Sequence, residues 1–512
     1  MKKLSRTEYS LINMITGIMG YGINTVAGFI CRIVFVRMLS AEYLGISGLF
    51  TNVLSILSLA ELGISSAITF ALYKPIAEHD EEKIIAIMYF YRKAYFTIGS
   101  IVAILGVMLL PFLNSIITDV PDIKENIYEL YLLYLFNTVV SYFFSYRQAL
   151  LVAMQRQYIV VGYSYIVTIV QSIAQIAFLI LTREYLIYLL IQILGAVVYN
   201  VWVSAKAAND YPYIIRKTEK KLISEEKKEL LKNIKALAVN RISGVLVNST
   251  DNIAITYFQG LSSVGFASNY TLLSGTLNQL ITQLFNGMTG SVGNLNASTD
   301  KETRYHFFKV LNLANFWLYG WGAIGIAVVS GDLVRLLYGN EYVMEMKIPL
   351  ILAINFYSIG MLHASYTYKS TLGLFRYGQY LLFFTGIINL ILDVMLGKMW
   401  GTFGIYCATF IARLATNLWY EPYAVYRYGL KRSPMLYIRQ NLIFAGVLVG
   451  AGSISYFICS LFDFSNIGNV LIKIIICSFI PNVIFIVCFK RTREFKYLYQ
   501  KVKSVFQGLL KK

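Results

Sequence analysis

Apolar residues run along this chain in blocks of about twenty, enough for a helix to cross roughly 30 Å of hydrocarbon, with short polar breaks between them. Hydropathy places about fourteen such spans, near residues 11–36, 44–73, 86–113, 126–153, 158–182, 185–207, 234–258, 263–292, 305–330, 347–370, 378–397, 401–427, 438–461 and 467–489. The fold class this predicts is an all-α integral membrane protein, with about 14 transmembrane helices in two pseudo-symmetric six-helix lobes followed by two C-terminal helices. No stretch is left over for a sizeable soluble domain.

The polar breaks set the organisation. The longest, "NDYPYIIRKTEKKLISEEKKELLKN", joins spans six and seven, and it reads as a solvated amphipathic helix at the membrane surface. It divides the chain into an N-terminal lobe (1–208), a basic loop (209–233), a C-terminal lobe (234–430), spans thirteen and fourteen (431–489) and a basic tail (490–512). An internal repeat supports the division. "GYGINT" from Gly20 matches "GVLVNS" from Gly244, and "YLGISGLF" from Tyr43 matches "SVGFASNY" from Ser263, at equivalent places in the topology. The repeats run in the same direction, so the expected axis lies along the membrane normal.

Charge then orients the chain. Lysine and arginine gather in alternate breaks: Lys2 to Arg6, Lys74 and Lys83, Arg156, Lys206 to Lys235, Lys301 and Arg304, Arg376, Lys431 to Arg439, and Lys490 to Lys512. The intervening breaks hold only Lys124, Arg183, Arg335, Lys347 and Lys398, so both termini are expected in the cytoplasm. The basic start runs into a long apolar helix without a small-residue cleavage site, which reads as a retained first span.

Composition excludes more than it adds. Charged residues make up 14% of the chain, against about 25% in soluble domains. The formal charge of +18 is spread over alternate loops rather than gathered on one face, which argues against nucleic acid as a partner. The five cysteines, Cys31, Cys407, Cys459, Cys477 and Cys488, lie in or at the ends of apolar segments without disulfide or metal-ligand spacing, and read as small buried hydrophobes. His79, His306 and His363 share no spacing, and neither a phosphate-binding glycine loop nor a zinc-protease motif occurs. No catalytic residue and no cofactor is expected.

What remains is charge inside the membrane. Asn13, Gly17, Gly20, Asn24, Gly28 and Arg32 recur at three- and four-residue steps along span one, and Arg241, Gly244, Asn248 and Asp251, with Asn252 beside it, do so along span seven. Small residues and asparagines let helices approach and hydrogen-bond across the contact. Arg32, Arg241 and Asp251 need a further reason, and a water-filled cavity supplies one, because charges at bilayer depth are costly. Glu61, Arg413 and Lys473 are also deep, whereas Arg92, Arg147, Asp393 and Glu421 lie nearer helix ends and are expected to snorkel. The deep set is more basic than acidic, which suits an anionic cargo.

This layout, with "ELGISSAITFALYKPIAEHDEEKI" after span two and "NSTDNIAITYFQGLSSVGFASNY" at span seven, resembles the oligosaccharide flippases of bacterial surface polysaccharide assembly. These belong to the multidrug, oligosaccharidyl-lipid and polysaccharide exporter superfamily. The resemblance covers nearly the whole chain. It implies a transporter of the bacterial cytoplasmic membrane that moves an undecaprenyl-pyrophosphate-linked repeat unit from the inner to the outer leaflet by alternating access, working alongside a polymerase and glycosyltransferases. On that reading Arg32, Arg241, Arg413 and Lys473 hold the pyrophosphate and Asn24, Asn248 and Asn252 contact sugar hydroxyls. Glu61 and Asp251 pair with these bases in the empty carrier or bind a coupling Na⁺ or H⁺. Two carriers of the same fold compete with this reading, a flippase for the lipid-linked peptidoglycan precursor and a cation-coupled multidrug exporter. A membrane-embedded glycan polymerase or transferase is the more distant rival.

Overall fold

A computed structural model describes residues 6–57, 68–69, 71–72, 75–76, 78–113, 117, 123–154, 156–216, 250–374, 377–378, 380–462 and 467–510. Among the described residues the chain is helical and carries no strand, and ten helices are long and apolar enough to cross a membrane. It is an all-α, multi-pass membrane protein. In chain order the main helices are α1 (Arg6–Met38), α2 (Ala41–Leu57), α3 (Glu81–Leu109), α4 (Ile127–Ser145), α5 (Gln157–Thr182), α6 (Tyr185–Asp210) and α7 (Thr250–Ser298). There follow α8 (Lys301–Tyr338), α9 (Lys347–Met361), α10 (Leu381–Ala415), α11 (Met435–Ser460), α12 (Ile467–Phe489) and α13 (Arg493–Leu510).

Two of these helices are each two helical segments joined at a break. At 1.5 Å per residue the 49 residues of α7 would reach about twice the thickness of the hydrocarbon core if straight. Gly260 (φ 79°, ψ 170°) breaks α7, and Gly401 (φ 58°, ψ −139°) breaks α10. Both are backbone states that a β-carbon disfavours, so the hairpins between spans seven and eight and between eleven and twelve need glycine. Other ends are capped by side chains: Asp80 accepts from Lys83 N at 2.9 Å, Asn126 from Tyr128 N at 2.9 Å and Asp300 from Glu302 N at 3.0 Å.

The chain forms two compact units, Met1–Gly265 and Phe266–Lys512. In the first, α1 packs on α5, α5 on α6, α3 on α4 and α4 on α6. Gly20 lets α1 meet α5, since a β-carbon there would fall 1.3 Å from the Tyr165 ring, whose hydroxyl donates to the Thr16 carbonyl at 3.0 Å. Tyr131 Oη donates to the Gly106 carbonyl at 3.0 Å between α4 and α3, and the Tyr134 and Tyr185 hydroxyls meet at 2.8 Å between α4 and α6.

In the second unit α8 is the centre, packed against α9, α11, α12 and α13. Phe316, Phe444, Phe485 and Phe489 form its aromatic core. The pairings echo across the chain: spans three and four pack together in one unit as spans nine and ten do in the other, and Asn355 Nδ2 donates to the Tyr406 carbonyl at 2.9 Å between spans ten and twelve as Tyr134 meets Tyr185 between spans four and six.

The repeat also appears as a reciprocal contact inside the first unit. A β-carbon on Gly45 would lie 2.1 Å from the Leu261 carbonyl oxygen, and one on Gly265 would lie 2.3 Å from that of Ala41. Equating Tyr43 with Ser263, as the repeat does, equates Gly45 with Gly265 and Ala41 with Leu261, so the two contacts exchange as they do across a two-fold axis. Outward, α12 exposes Leu471, Ile475, Phe479, Val483 and Val487, a surface suited to lipid.

Candidate functional site

Glu61, Arg241 and Asn248 lie outside the described residues. The other six residues expected at the site fall into four environments. In α1, Asn24 and Arg32 are partly buried, and at 1.5 Å per residue they stand about 12 Å apart along one helix. The Asn24 carbonyl oxygen is buried without a hydrogen-bond partner, Arg32 lies within electrostatic reach of the Tyr188 hydroxyl, and Gly28 between them faces open space. The span-one stripe thus has two uses: Gly20 is a helix contact, and the part from Asn24 onward is not packed in that way. At the described start of α7, Asp251 and Asn252 are partly buried, with the Asn252 amide set against Gly48 of α2.

Arg413, in the second half of α10, is buried at 7% exposure and donates through Nη1 to Asn355 Oδ1 at 3.2 Å. Asn355 is itself held by its bond to the Tyr406 carbonyl, so the guanidinium is fixed between spans ten and twelve. Lys473 is elsewhere in the second unit. Its ammonium meets Asp332 Oδ2 at 2.7 Å beside a cavity of about 370 Å³ whose lining does not include Arg413. The described residues therefore do not bring Arg413 and Lys473 into one anion site.

Two of the residues expected to snorkel do not. Asp393 is fully buried and accepts from Asn389 Nδ2 at 2.6 Å. Glu421, at 5% exposure, is clasped by Lys369 Nζ at 2.8 and 2.9 Å. Hydropathy put both near span ends, but packing against neighbouring helices closes off any route to water, and a charge so enclosed keeps a partner. Arg147 is partly buried and donates to Ser204 Oγ at 3.2 Å, while Arg92 is exposed over the Phe96 ring. The cysteines also divide: Cys31, Cys459 and Cys477 are buried as expected, Cys407 is partly so and Cys488 is exposed.

These partners outline a polar column in the second unit that was not singled out in the sequence. Thr385, Asn389 and Asp393 descend one helix face at four-residue steps, while Thr409, Arg413, Thr416, Asn417 and Glu421 descend a neighbouring one. Thr385 Oγ1 joins the two faces through Thr416 at 2.7 Å and Asn417 at 3.0 Å. The spacing was visible in span eleven as "TGIINLILD" and in span twelve as "TFIARLATNLWYE".

Apolar spanning helices, packed alike within each of two units among the described residues, define a class of carrier folds, and solved structures of that class match the chain. It has the fold of the transporters of the multidrug, oligosaccharidyl-lipid and polysaccharide exporter superfamily. A lipid II flippase MurJ in an inward closed conformation superposes with a TM-score of 0.66 at 15% identity, covering 93% of this chain and 99% of that one. An inward-facing MATE-family multidrug resistance transporter gives 0.53 at 15% identity over 80% of this chain and 95% of its own, and a single-residue mutant of the Vibrio cholerae MATE transporter VcmN gives 0.54 at 13% identity over 83% and 99%. No protein-family model matches the chain, and no curated protein does.

Proposed function

We propose that this protein is a flippase that carries an undecaprenyl-pyrophosphate-linked oligosaccharide repeat unit from the inner to the outer leaflet of the bacterial cytoplasmic membrane by alternating access, for surface polysaccharide assembly. The observation that carries the reading is the polar face of α1, where Arg32 stands beyond an open-sided Gly28 and an Asn24 oxygen with no protein partner. A cation and an unused acceptor in a spanning helix suit a cargo with a pyrophosphate and sugar hydroxyls. The superposition on a lipid II flippase, a carrier of a lipid-linked cargo, over 93% of this chain supports it.

In this reading the lobes are 1–208 and 234–430, joined by the basic cytoplasmic loop 209–233, and both termini are cytoplasmic. Arg32 and Arg241 attract the pyrophosphate and Asn24, Asn248 and Asn252 the sugars, while Arg413, bonded to Asn355, braces the lobe. Glu61 and Asp251 balance these charges in the empty carrier or take an inward-moving Na⁺ or H⁺. With the cell interior negative, each net negative charge moved outward gains about 2.3 kcal/mol per 100 mV. A polymerase and glycosyltransferases act on the cargo before and after it crosses. The same superposition favours a second reading, in which the cargo is the lipid-linked peptidoglycan precursor.

Deleting the gene and measuring which undecaprenyl-linked saccharide accumulates, and on which leaflet, tests both. Build-up of a complete repeat unit facing the cytoplasm is the expected result. Build-up of the peptidoglycan precursor there selects the second reading, accumulation on the outer leaflet indicates a polymerase or transferase, and no accumulation supports a drug exporter.

A further inference from the structure

The cavity beside Lys473 has a chemistry of its own. It lies between the C-terminal part of α8, the 339–346 connection, the start of α9 and the facing ends of α11 and α12. Asp332 sits at its centre, with Lys473 Nζ on one carboxylate oxygen at 2.7 Å and Arg335 Nη1 on the other at 3.4 Å. Lys473 and Asp332 are 12% and 16% exposed and Arg335 is 43% exposed. Two cations thus share one carboxylate and leave a net charge of about +1. An ammonium has three donors and a guanidinium five, and the contacts to Asp332 use one of each.

The rest of the lining is largely apolar and includes Met344, Tyr456, Cys459 and Phe462. The Tyr270 hydroxyl accepts from Met344 N at 3.0 Å and pins the rim. Lys473 is six residues into α12 and Asp332 six residues short of the end of α8, so both lie about 9 Å inside the helix ends.

We infer that this cavity binds the phosphate of an anionic amphiphile, with Arg335 and Lys473 on the phosphate oxygens and the apolar wall on the adjoining chain. A volume of about 370 Å³ accommodates a phosphate head and the first part of its tail. A zwitterionic lipid brings its own cation and gains less from the excess charge. The inference does not depend on what the carrier transports, because two lipids could supply the ligand: an anionic phospholipid of the surrounding leaflet, or a polyprenyl phosphate.

Native mass spectrometry of the full chain, in micelles doped with phosphatidylglycerol or phosphatidylcholine, tests it without any transport. The wild type should retain phosphatidylglycerol at least about tenfold better than phosphatidylcholine. R335Q and K473M should each lower that preference about tenfold, and R335Q, at an exposed position, leaves the fold intact even where K473M does not. D332N should instead strengthen retention several-fold, because the cations lose their internal competitor. Displacement by a short polyprenyl phosphate at equimolar concentration would identify the carrier lipid as the source, and displacement only by excess phosphatidylglycerol would identify the bulk phospholipid. Equal retention of the two phospholipids, wild-type behaviour of R335Q, or a D332N that weakens binding as R335Q does would each overturn the proposal.

Discussion

The polar stripe of α1 and the polar stripe in the second half of α10 have the same spacing, and the molecule uses them differently. In α1, Asn24, Gly28 and Arg32 follow one another at four-residue steps, and the part they occupy remains open. In α10 and the short helix Asn417–Ala424 that follows it, Thr409, Arg413, Asn417 and Glu421 follow at the same steps and are all buried. The difference is supplied by the partner helix. Span ten brings Asn355 to Arg413 and Lys369 to Glu421, whereas in the α1 stripe Gly20 is filled by Tyr165, Gly28 faces open space and the Asn24 oxygen has no hydrogen-bond partner. A stripe whose groups are matched by a neighbour braces the lobe, and one with an open side and an unused acceptor is available to a solute.

The sharpest way to break this comparison is the buried ion pair. Lys369 and Glu421 have side chains 13% and 6% exposed, so removing one partner strands the other in an apolar interior. Lys369→Met alone should destabilise the protein by about 3–5 kcal/mol, seen as a lower melting temperature and lower abundance, whereas Lys369→Met with Glu421→Leu should recover most of the loss. A single variant as stable as the wild type would mean that the α10 stripe braces nothing.

The two arginines give the next largest contrast. Arg413→Gln loses a charged hydrogen bond to the buried Asn355, a cost of about 1.5–3 kcal/mol, and should reduce both stability and export. Arg32→Gln, at a partly exposed position, should leave melting within about 0.5 kcal/mol of the wild type and still abolish export. Melting temperature and surface polysaccharide measured together distinguish the two, and equal stability losses with equal export losses would put the arginines in the same role.

The hairpins and the spans were legible because the bilayer enforces them: a run of apolar residues has one length that fits, and Gly401 and Gly260 mark where the chain must turn back. The α1 stripe was legible because an arginine shares one face with the glycines and asparagines, and helix packing accounts for the small and amide residues but not for the charge. The column around Asp393 and Glu421 was not, because the same spacing near a span end is equally compatible with a side chain reaching for water. Only the positions of Lys369 and Asn389 decide the matter, and Lys369 comes from a segment 52 residues away from Glu421. Lys473 was misleading for a similar reason: its depth was legible and its partner, Asp332 on another helix, was not.

The smallest effect lies at the membrane surface, where α13 provides a third kind of charged site. Glu494, in its first turn, meets Lys309 of α8 at 2.5 Å, while Phe495 stacks on Trp317 at 5.6 Å. Burial alone would raise the Glu494 carboxyl, but the hydrogen bond and charge of Lys309, with its own backbone N–H and His306, outweigh burial and hold it below the ordinary value of 4.5. A carboxylate with a depressed folded-state pKa stabilises above its unfolded value, and that stability is lost as pH falls through the depressed one. The docking of α13 should therefore be constant near neutrality and weaken below about pH 4.5. The protection factors of residues 493–500, exchange corrected for its intrinsic pH dependence, should fall in that window by the amount a pair of about 1 kcal/mol allows. Glu494→Gln should show the faster exchange already at pH 7 and lose the acid step. A step that survives in Glu494→Gln would assign it to another carboxylate and leave the aromatic contact with Trp317 as what holds the helix down.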